Sequence, residues 1–443
     1  MVGENYDARK QETTGRSWTN WSGAQHCQPR DLIRVSGIGE LTEVVGRGAA
    51  EGRQITTIGS GHSFTPTALS DDLLLDITRL AGVLNFDPES GLVEVAAGTV
   101  LADLNRELTR LGRALPNLGD IDRQTIAGAV STGTHGTGRA LPNISAQIEA
   151  IKVMGGDGQV REFGPGSDEL LAARVAVGSL GVITALTLQT VPAFNLHRVD
   201  APMDLDEVLN RFDQITAEDE HFEFFVFPYT RKALTLIRNR TDRPPAPRSR
   251  LDRFLGDVVV ENGLVDLALR LAGRVPAAIP KTARFSTHFM SQSEQVDVSD
   301  RVFANYRTIR FNEIEYALPL ESGPEVMERL MGLIESESFP LPMPIECRVS
   351  AGDEALISQA HGRPTAYIAV HQHHTMEYEP YFRAIEEIFR EYDGRPHWGK
   401  LHYRSAADLA PSFPRWDDFQ AVRDRLDPDR TFSNAYVTKV LGP

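Results

Sequence analysis

The chain has 443 residues, 41% hydrophobic and 24% charged, with a formal net charge of -15. That length exceeds what a single hydrophobic core usually organises and predicts two domains of an ordinary globular protein. The negative balance excludes nucleic acid or an anionic membrane as the main partner, because like charges repel. Two cysteines, Cys27 and Cys347, exclude a disulfide scaffold and predict a cytoplasmic location.

Residues 1–19 are polar and predict a tail with neither signal peptide nor membrane anchor. No apolar run in the chain is long enough to span a bilayer. Residues 41–51 place apolar side chains at helical spacing, and the β-branched run 54–58 predicts a strand entering the turn Gly59-Ser60-Gly61-His62-Ser63-Phe64. Residues 73–77 and 92–97 predict buried strands, and Leu101, Leu104, Leu108 and Leu111 mark an amphipathic helix. Next comes Thr125-Ile126-Ala127-Gly128-Ala129, followed by Ser131-Thr132-Gly133-Thr134-His135-Gly136-Thr137-Gly138. Closely spaced glycines remove Cβ atoms and permit positive φ, so backbone N–H groups can converge on an anion while the hydroxyls donate further bonds. The stretch lacks the Lys-Ser/Thr ending of a Walker loop and the Gly-x-Gly-x-x-Gly spacing of a Rossmann turn, which points to another phosphate-bearing ligand. Strands at 148–154 and 182–188, with a helix at 167–175 between them, complete the first domain near Pro192.

Beyond residue 194 the pattern changes. Residues 222–227 and 311–316 predict strands with one polar and one apolar face, and Pro244-Pro245-Ala246-Pro247 predicts a surface loop. Helices are expected at 251–271, 325–335 and 381–392. In the strand at 344–349 the period of two places Glu346 and Arg348 on one face, and in that at 367–373 it does the same for His371 and His373. Spacing alone leaves open a solvated face with a surface ion pair, a catalytic face, or, with His374, a metal site. No third ligand stands clearly on the same strand face and no carboxylate can be assigned to hold those imidazoles, so no metal is expected.

The 59–63 and 125–138 loops, in this order and separation, resemble the vanillyl-alcohol oxidase type of FAD-binding domain, in particular the sugar-lactone and alditol oxidases. Arg395-Pro396-His397-Trp398-Gly399-Lys400 and the ending from Leu426-Asp427-Pro428 to Phe432-Ser433-Asn434 resemble the closing signature of that family. The likeness therefore spans nearly the whole chain after about Trp21. It implies an α+β fold of two domains: an FAD-binding domain over 20–193 and an antiparallel-sheet substrate (cap) domain over 194–394. A C-terminal segment, 395–443, would return to the flavin site.

The same resemblance implies FAD, bonded covalently through His62. It assigns cofactor contacts to Gly59, Ser60, Gly61, Ser63, Pro116, Gly119, Asp120, Thr125, Gly128, Ser131, Thr132, Gly133, Thr134, Gly136, Thr137, Val182, Ile183, His397 and Lys400. Glu346 would hold and deprotonate the carbon-2 hydroxyl of the substrate. Arg348 and Lys400 would stabilise developing negative charge, and His371 and His373 would orient the sugar. Asp120 and His373 replace the serine and threonine of alditol oxidases, which favours an aldono-1,4-lactone such as L-gulono-1,4-lactone over xylitol or sorbitol. Gly119 permits oxygen as acceptor with hydrogen peroxide as product, although relatives with glycine there also act as dehydrogenases on cytochrome or dye acceptors. A flavin-storing or sugar-binding module is disfavoured, because Glu346, Arg348, His371 and Lys400 would then be polar groups buried without a use.

Overall fold

The computed structural model describes residues 17–246, 265–287, 290–304 and 309–443. Residues 1–16 of the expected tail, and 251–264 of the helix expected at 251–271, lie outside them; the described remainder contains the helix Val265–Arg274.

The β-branched Ile55–Ile58 forms a short parallel sheet with Asp31–Arg34 and Leu73–Asp76, the last strand central. Helix Ile38–Ala50 covers it through Leu41, Val44 and Val45. A five-stranded antiparallel sheet follows, in the order Val160–Phe163, Ile148–Met154, Val182–Gln189, Leu92–Ala96, Val83–Phe86. Its buried Val93, Val95, Ile151 and Leu186 pack with helix Leu101–Arg110, whose Leu101, Leu104 and Leu108 recur at the i, i+3, i+7 spacing of one face. The same core takes in Trp398, Phe413, Phe419 and Val440 from the end of the chain.

The second sheet has eight strands, in the order Ser293–Val298, Asn195–Asp204, Lys232–Thr241, His221–Val226, Ile345–Ser350, Thr365–His373, Phe311–Pro319, Arg395–Pro396. Neighbouring strands run antiparallel. Alternation sorts its residues. Phe222, Phe224, Ile345, Cys347, Ile368, Val370, Ile314 and Tyr316 enter a second core, covered by helices Gly323–Glu337 and Glu379–Glu391. A side chain such as Phe382 or Phe389, fully buried there, contributes about 1.5–3 kcal/mol. The opposite face carries Glu223, Glu346, Arg348, His371, Glu313 and Glu315. Register sets them side by side: Glu223 opposite Arg348, and Glu313 opposite His371.

Thr137 fastens this sheet to the glycine-rich segment. Its hydroxyl donates to Phe222 O and accepts from Val349 N at 3.3 Å, while Gly138 N donates to Val349 O at 2.8 Å. The long strands Asn195–Asp204 and Lys232–Thr241 were not among the expected elements. Charged residues and Pro202 interrupt the apolar pattern of the first, and ten matched residue pairs across the two supply what local pattern lacks.

Candidate active site

Strand Ile55–Ile58 ends in a turn where Gly61 adopts φ +64°, a conformation that favours glycine. A Cβ on Gly59 would stand 2.1 Å from Thr125 Oγ1, so glycine is what lets the two loops meet. Together they wall a cavity of about 120 Å³ with Ile55, Ile58, Ile77, Ile183, Phe432 and Val437 at its apolar surfaces and Ser60, Ser63, Thr125, Ser131 and Thr132 among its hydroxyls. A second cavity, of about 320 Å³, lies under the polar face of the large sheet. His62, Ser63, Gln124 and Thr132 line both. The pair of cavities fits a long ligand with an apolar end, a polar middle gripped by glycine backbone and hydroxyls, and a broad second end. That is the shape and chemistry of FAD.

The chain's end returns to this point by backbone bonds: Phe64 N donates to Gly399 O at 2.7 Å, and Thr65 Oγ1 to Trp398 O at 3.3 Å. His397, Gly399 and Lys400 consequently line the larger cavity, together with Gly119, Asp120, Thr134, Glu346, Arg348 and His371. Several residues expected to touch cofactor stand behind the walls instead. A Cβ on Gly133 would meet Gln359 Oε1 at 2.2 Å, and one on Gly136 would meet Asn117 Oδ1 at 2.1 Å. Val182 is in the first core, Thr137 is bonded to the sheet, and Pro116 lines neither cavity. His373 is fully buried away from the cavity, with Nδ1 2.8 Å from Thr375 Oγ1.

Charge in the larger cavity is organised in two groups. Arg348 contacts three carboxylates: Glu346 Oε1 at 2.5 Å, Glu223 Oε2 at 3.0 Å, and Asp120. Burial opposes its charge, yet Asp120, Glu346 and Glu223 outweigh burial and hold the guanidinium well above its usual range. In the second group Glu313 accepts from Lys400 and lies 3.5 Å from His371 Nε2, while Glu315 meets His135 Nε2 at 3.1 Å. Burial would raise the Glu313 carboxyl, but Lys400 and His371 prevail and hold it at about 2. Burial, opposed by Glu313, leaves His371 above its ordinary value. His62 and His397 behave in the reverse way: burial, with Lys400 adding to it, pushes each down to about 3. Ligand atoms of His135, Glu315 and His397, and of Asp120, Glu223 and Glu346, fall within 4.8 Å of one another. In the second set Arg348 already supplies the cation.

Residues 186–440 match the D-arabinono-1,4-lactone oxidase family, and residues 29–164 match the FAD binding domain family. The chain belongs to the D-arabinono-1,4-lactone oxidase family. It is 46% identical over 426 residues to the L-gulono-1,4-lactone dehydrogenase of Mycobacterium tuberculosis strain H37Rv, covering 96% of this chain and 99% of that protein. It is 29% identical over 441 residues to the L-gulonolactone oxidase of Mus musculus, covering 96% and 98%. Among solved structures, cholesterol oxidase from B. sterolicum superposes with a TM-score of 0.80 at 17% identity, over 97% of both chains. The expected α+β fold with an FAD-binding domain is therefore correct.

For this lactone oxidase family member, sequence reasoning passed over Glu313, Glu315, His135, Glu223, Trp21 and Arg123 as site residues. Glu313 and Glu315 were visible as alternate residues of the strand at 311–316, and His135 lay inside the glycine-rich stretch. Trp21 and Arg123 carry no local signal, since only long-range packing brings them to the cavity.

Proposed function

We propose that the protein oxidises the carbon-2 hydroxyl of an aldono-1,4-lactone, such as L-gulono-1,4-lactone, with FAD as cofactor. The observation that carries this reading is the Glu346–Arg348 pair, 2.5 Å apart on one face of a strand, in a cavity continuous with a glycine-walled groove of dinucleotide shape. FAD, when bound, supplies acceptance of the hydride from carbon 2. Glu346 receives the hydroxyl proton, and Arg348 and Lys400 stabilise negative charge on the substrate oxygen. His371, its Nδ1 donating to Pro344 O at 3.0 Å, presents Nε2 to the cavity and orients the sugar ring. The glycine and hydroxyl residues of 59–63 and 125–132 hold the pyrophosphate.

His62 is the proposed point of covalent attachment. Held at about 3, its ring is neutral at physiological pH and keeps a nitrogen lone pair for bond formation. Oxygen is the proposed acceptor, supported by Gly119 in the cavity wall. A second reading, a lactone dehydrogenase with a different acceptor, is favoured by the name of the 46% identical mycobacterial protein, an L-gulono-1,4-lactone dehydrogenase. The expected division at 20–193, 194–394 and 395–443 is retained as part of the proposal, as is a cytoplasmic location, which Cys27 and Cys347, both free and buried, support. Among the described residues no helix is long and apolar enough to cross a membrane. Mixing purified protein with L-gulono-1,4-lactone without oxygen tests the core of the reading: flavin absorbance should bleach, and an unchanged spectrum would refute it.

A further inference from the structure

Three adjacent strands of the large sheet carry a buried line of alternating charge. Arg238 Nη2 donates to Glu223 Oε1 at 2.7 Å, Glu223 Oε2 lies 3.0 Å from Arg348 Nε, and Arg348 Nη2 lies 2.5 Å from Glu346 Oε1. Arg238 and Glu223 are each 2% exposed. Glu223 sits directly opposite Arg348 in the register, and Arg238 lies one diagonal step away on the next strand. Glu223 is set behind the cavity, not among its lining residues, and so has no route to a substrate.

From this arrangement we infer that Glu223, gripped by Arg238, is a positioning residue that holds Arg348, and through it Glu346, where the two act on the substrate. The inference rests on the proposed role of Glu346. A sheet interior has no need of these charges for stability, because apolar residues of similar volume usually serve as well. What the line does supply is direction. Arg348 Nε faces Glu223 on one side and its Nη2 faces Asp120 and Glu346 on the other, so opposed ion pairs hold the guanidinium between them. Neutralising Glu223 would leave Arg238 and Arg348 facing each other as like charges in a buried setting. Arg348 would then swing away from position 223 and draw Glu346, already 2.5 Å from its Nη2, out of place.

The test uses the FAD-loaded enzyme and three variants: Glu223→Gln, Arg238→Met and the double substitution. Flavin content should stay near wild type in each folded variant, while the melting temperature of Glu223→Gln should fall, because two buried guanidinium groups are left facing each other. In Glu223→Gln, kcat for L-gulono-1,4-lactone should fall about ten- to hundredfold while KM changes less than about threefold, the pattern of an interaction felt mainly in the transition state. The double variant should be no slower than Glu223→Gln, because both changes act through one contact. A crystal structure of Glu223→Gln should show Arg348 turned away from position 223 and Glu346 displaced with it. Turnover per folded, FAD-loaded enzyme within about twofold of wild type, or an unmoved Arg348, would each overturn the inference. Should Glu223→Gln fail to fold, Arg238→Met carries the same measurements. If the wild-type enzyme itself oxidises no lactone, the proposed function falls while the crystal structure still decides what Glu223 does.

Discussion

His62 stacks on Trp21, with 5.7 Å between ring centroids and 29° between planes, and Trp21 N donates to Gly61 O at 2.9 Å. A residue near the start of the described chain thereby orients the imidazole that stands where the two cavities join. Lys400 lies 5.1 Å from the ring centroid of Phe64, which meets Trp21 edge-on, within range of a cation–π contact. The loop, the N-terminal tryptophan and the C-terminal lysine form one assembly around His62.

Covalent attachment follows from that assembly as a prediction. Acid precipitation of the holoenzyme should leave a yellow pellet, and His62→Ala should release its flavin to the supernatant while keeping the fold. Trp21→Ala should lower the bonded fraction, because the ring it orients would rotate. A colourless pellet from wild-type protein would exclude the bond.

Substitution of Glu346 should separate chemistry from cofactor binding. Glu346→Ala is expected to depress turnover with lactone by about 10²–10⁴-fold, the range typical of a positioned general base, with bound FAD unchanged. Steady-state rates alongside flavin absorbance measure both quantities. Near-normal turnover would remove Glu346 from the mechanism.

The Lys400–Glu313 contact has a consequence for acid stability. Glu313 is held at about 2 in the folded chain, below the ordinary glutamate value of about 4.3 that the unfolded chain would show. A lowered carboxyl stabilises the fold fully above the unfolded value, and this contribution is lost as pH falls toward 2. Lys400→Met removes the charge that holds Glu313 low, so loss of structure should begin at higher pH than in wild type. Circular dichroism followed through an acid titration would show the shift, and coincident curves would contradict it.

Substrate and acceptor can be read in one stopped-flow experiment. L-gulono-1,4-lactone should bleach the flavin at least about tenfold faster than xylitol or sorbitol, since a missing hydrogen-bond partner in a buried site costs about 1–3 kcal/mol. Faster bleaching by xylitol would reassign the substrate. Admitted air should then restore the colour with peroxide formed, whereas reduced flavin that persists in air and is reoxidised by cytochrome c would mark a dehydrogenase. Gly119→Ala should slow the reaction with oxygen: its Cβ would lie 3.2 Å from His135 O and 3.3 Å from Thr134 Cγ2, tight enough to crowd that wall.

What could be read from sequence here was local. The period of two assigned Glu346, Arg348 and His371 to one face of their strands, and the structure places all three at the cavity. The same rule extended to His373 did not reach the site: that residue ends its strand opposite Phe311, which does line the cavity, but its own ring is fully buried with Nδ1 on Thr375 Oγ1. Glycine spacing likewise identified loops that need bare backbone. It could not say what fills the space: a groove at Gly59 and Gly61, but Asn117 at Gly136 and Gln359 at Gly133.

By itself, then, the chain's sequence determined which faces are polar, where turns must admit positive φ, and through its motifs which family it resembles. The tertiary structure alone decided which polar faces meet. Glu223 reaches Arg348 across 124 intervening sequence positions, and Trp21 reaches His62, Phe64 and Phe311. Periodicity depends on the geometry of a few consecutive residues, whereas strand register is chosen by burial summed over the whole sheet. A buried charge can be tolerated only where that register supplies its counterpart.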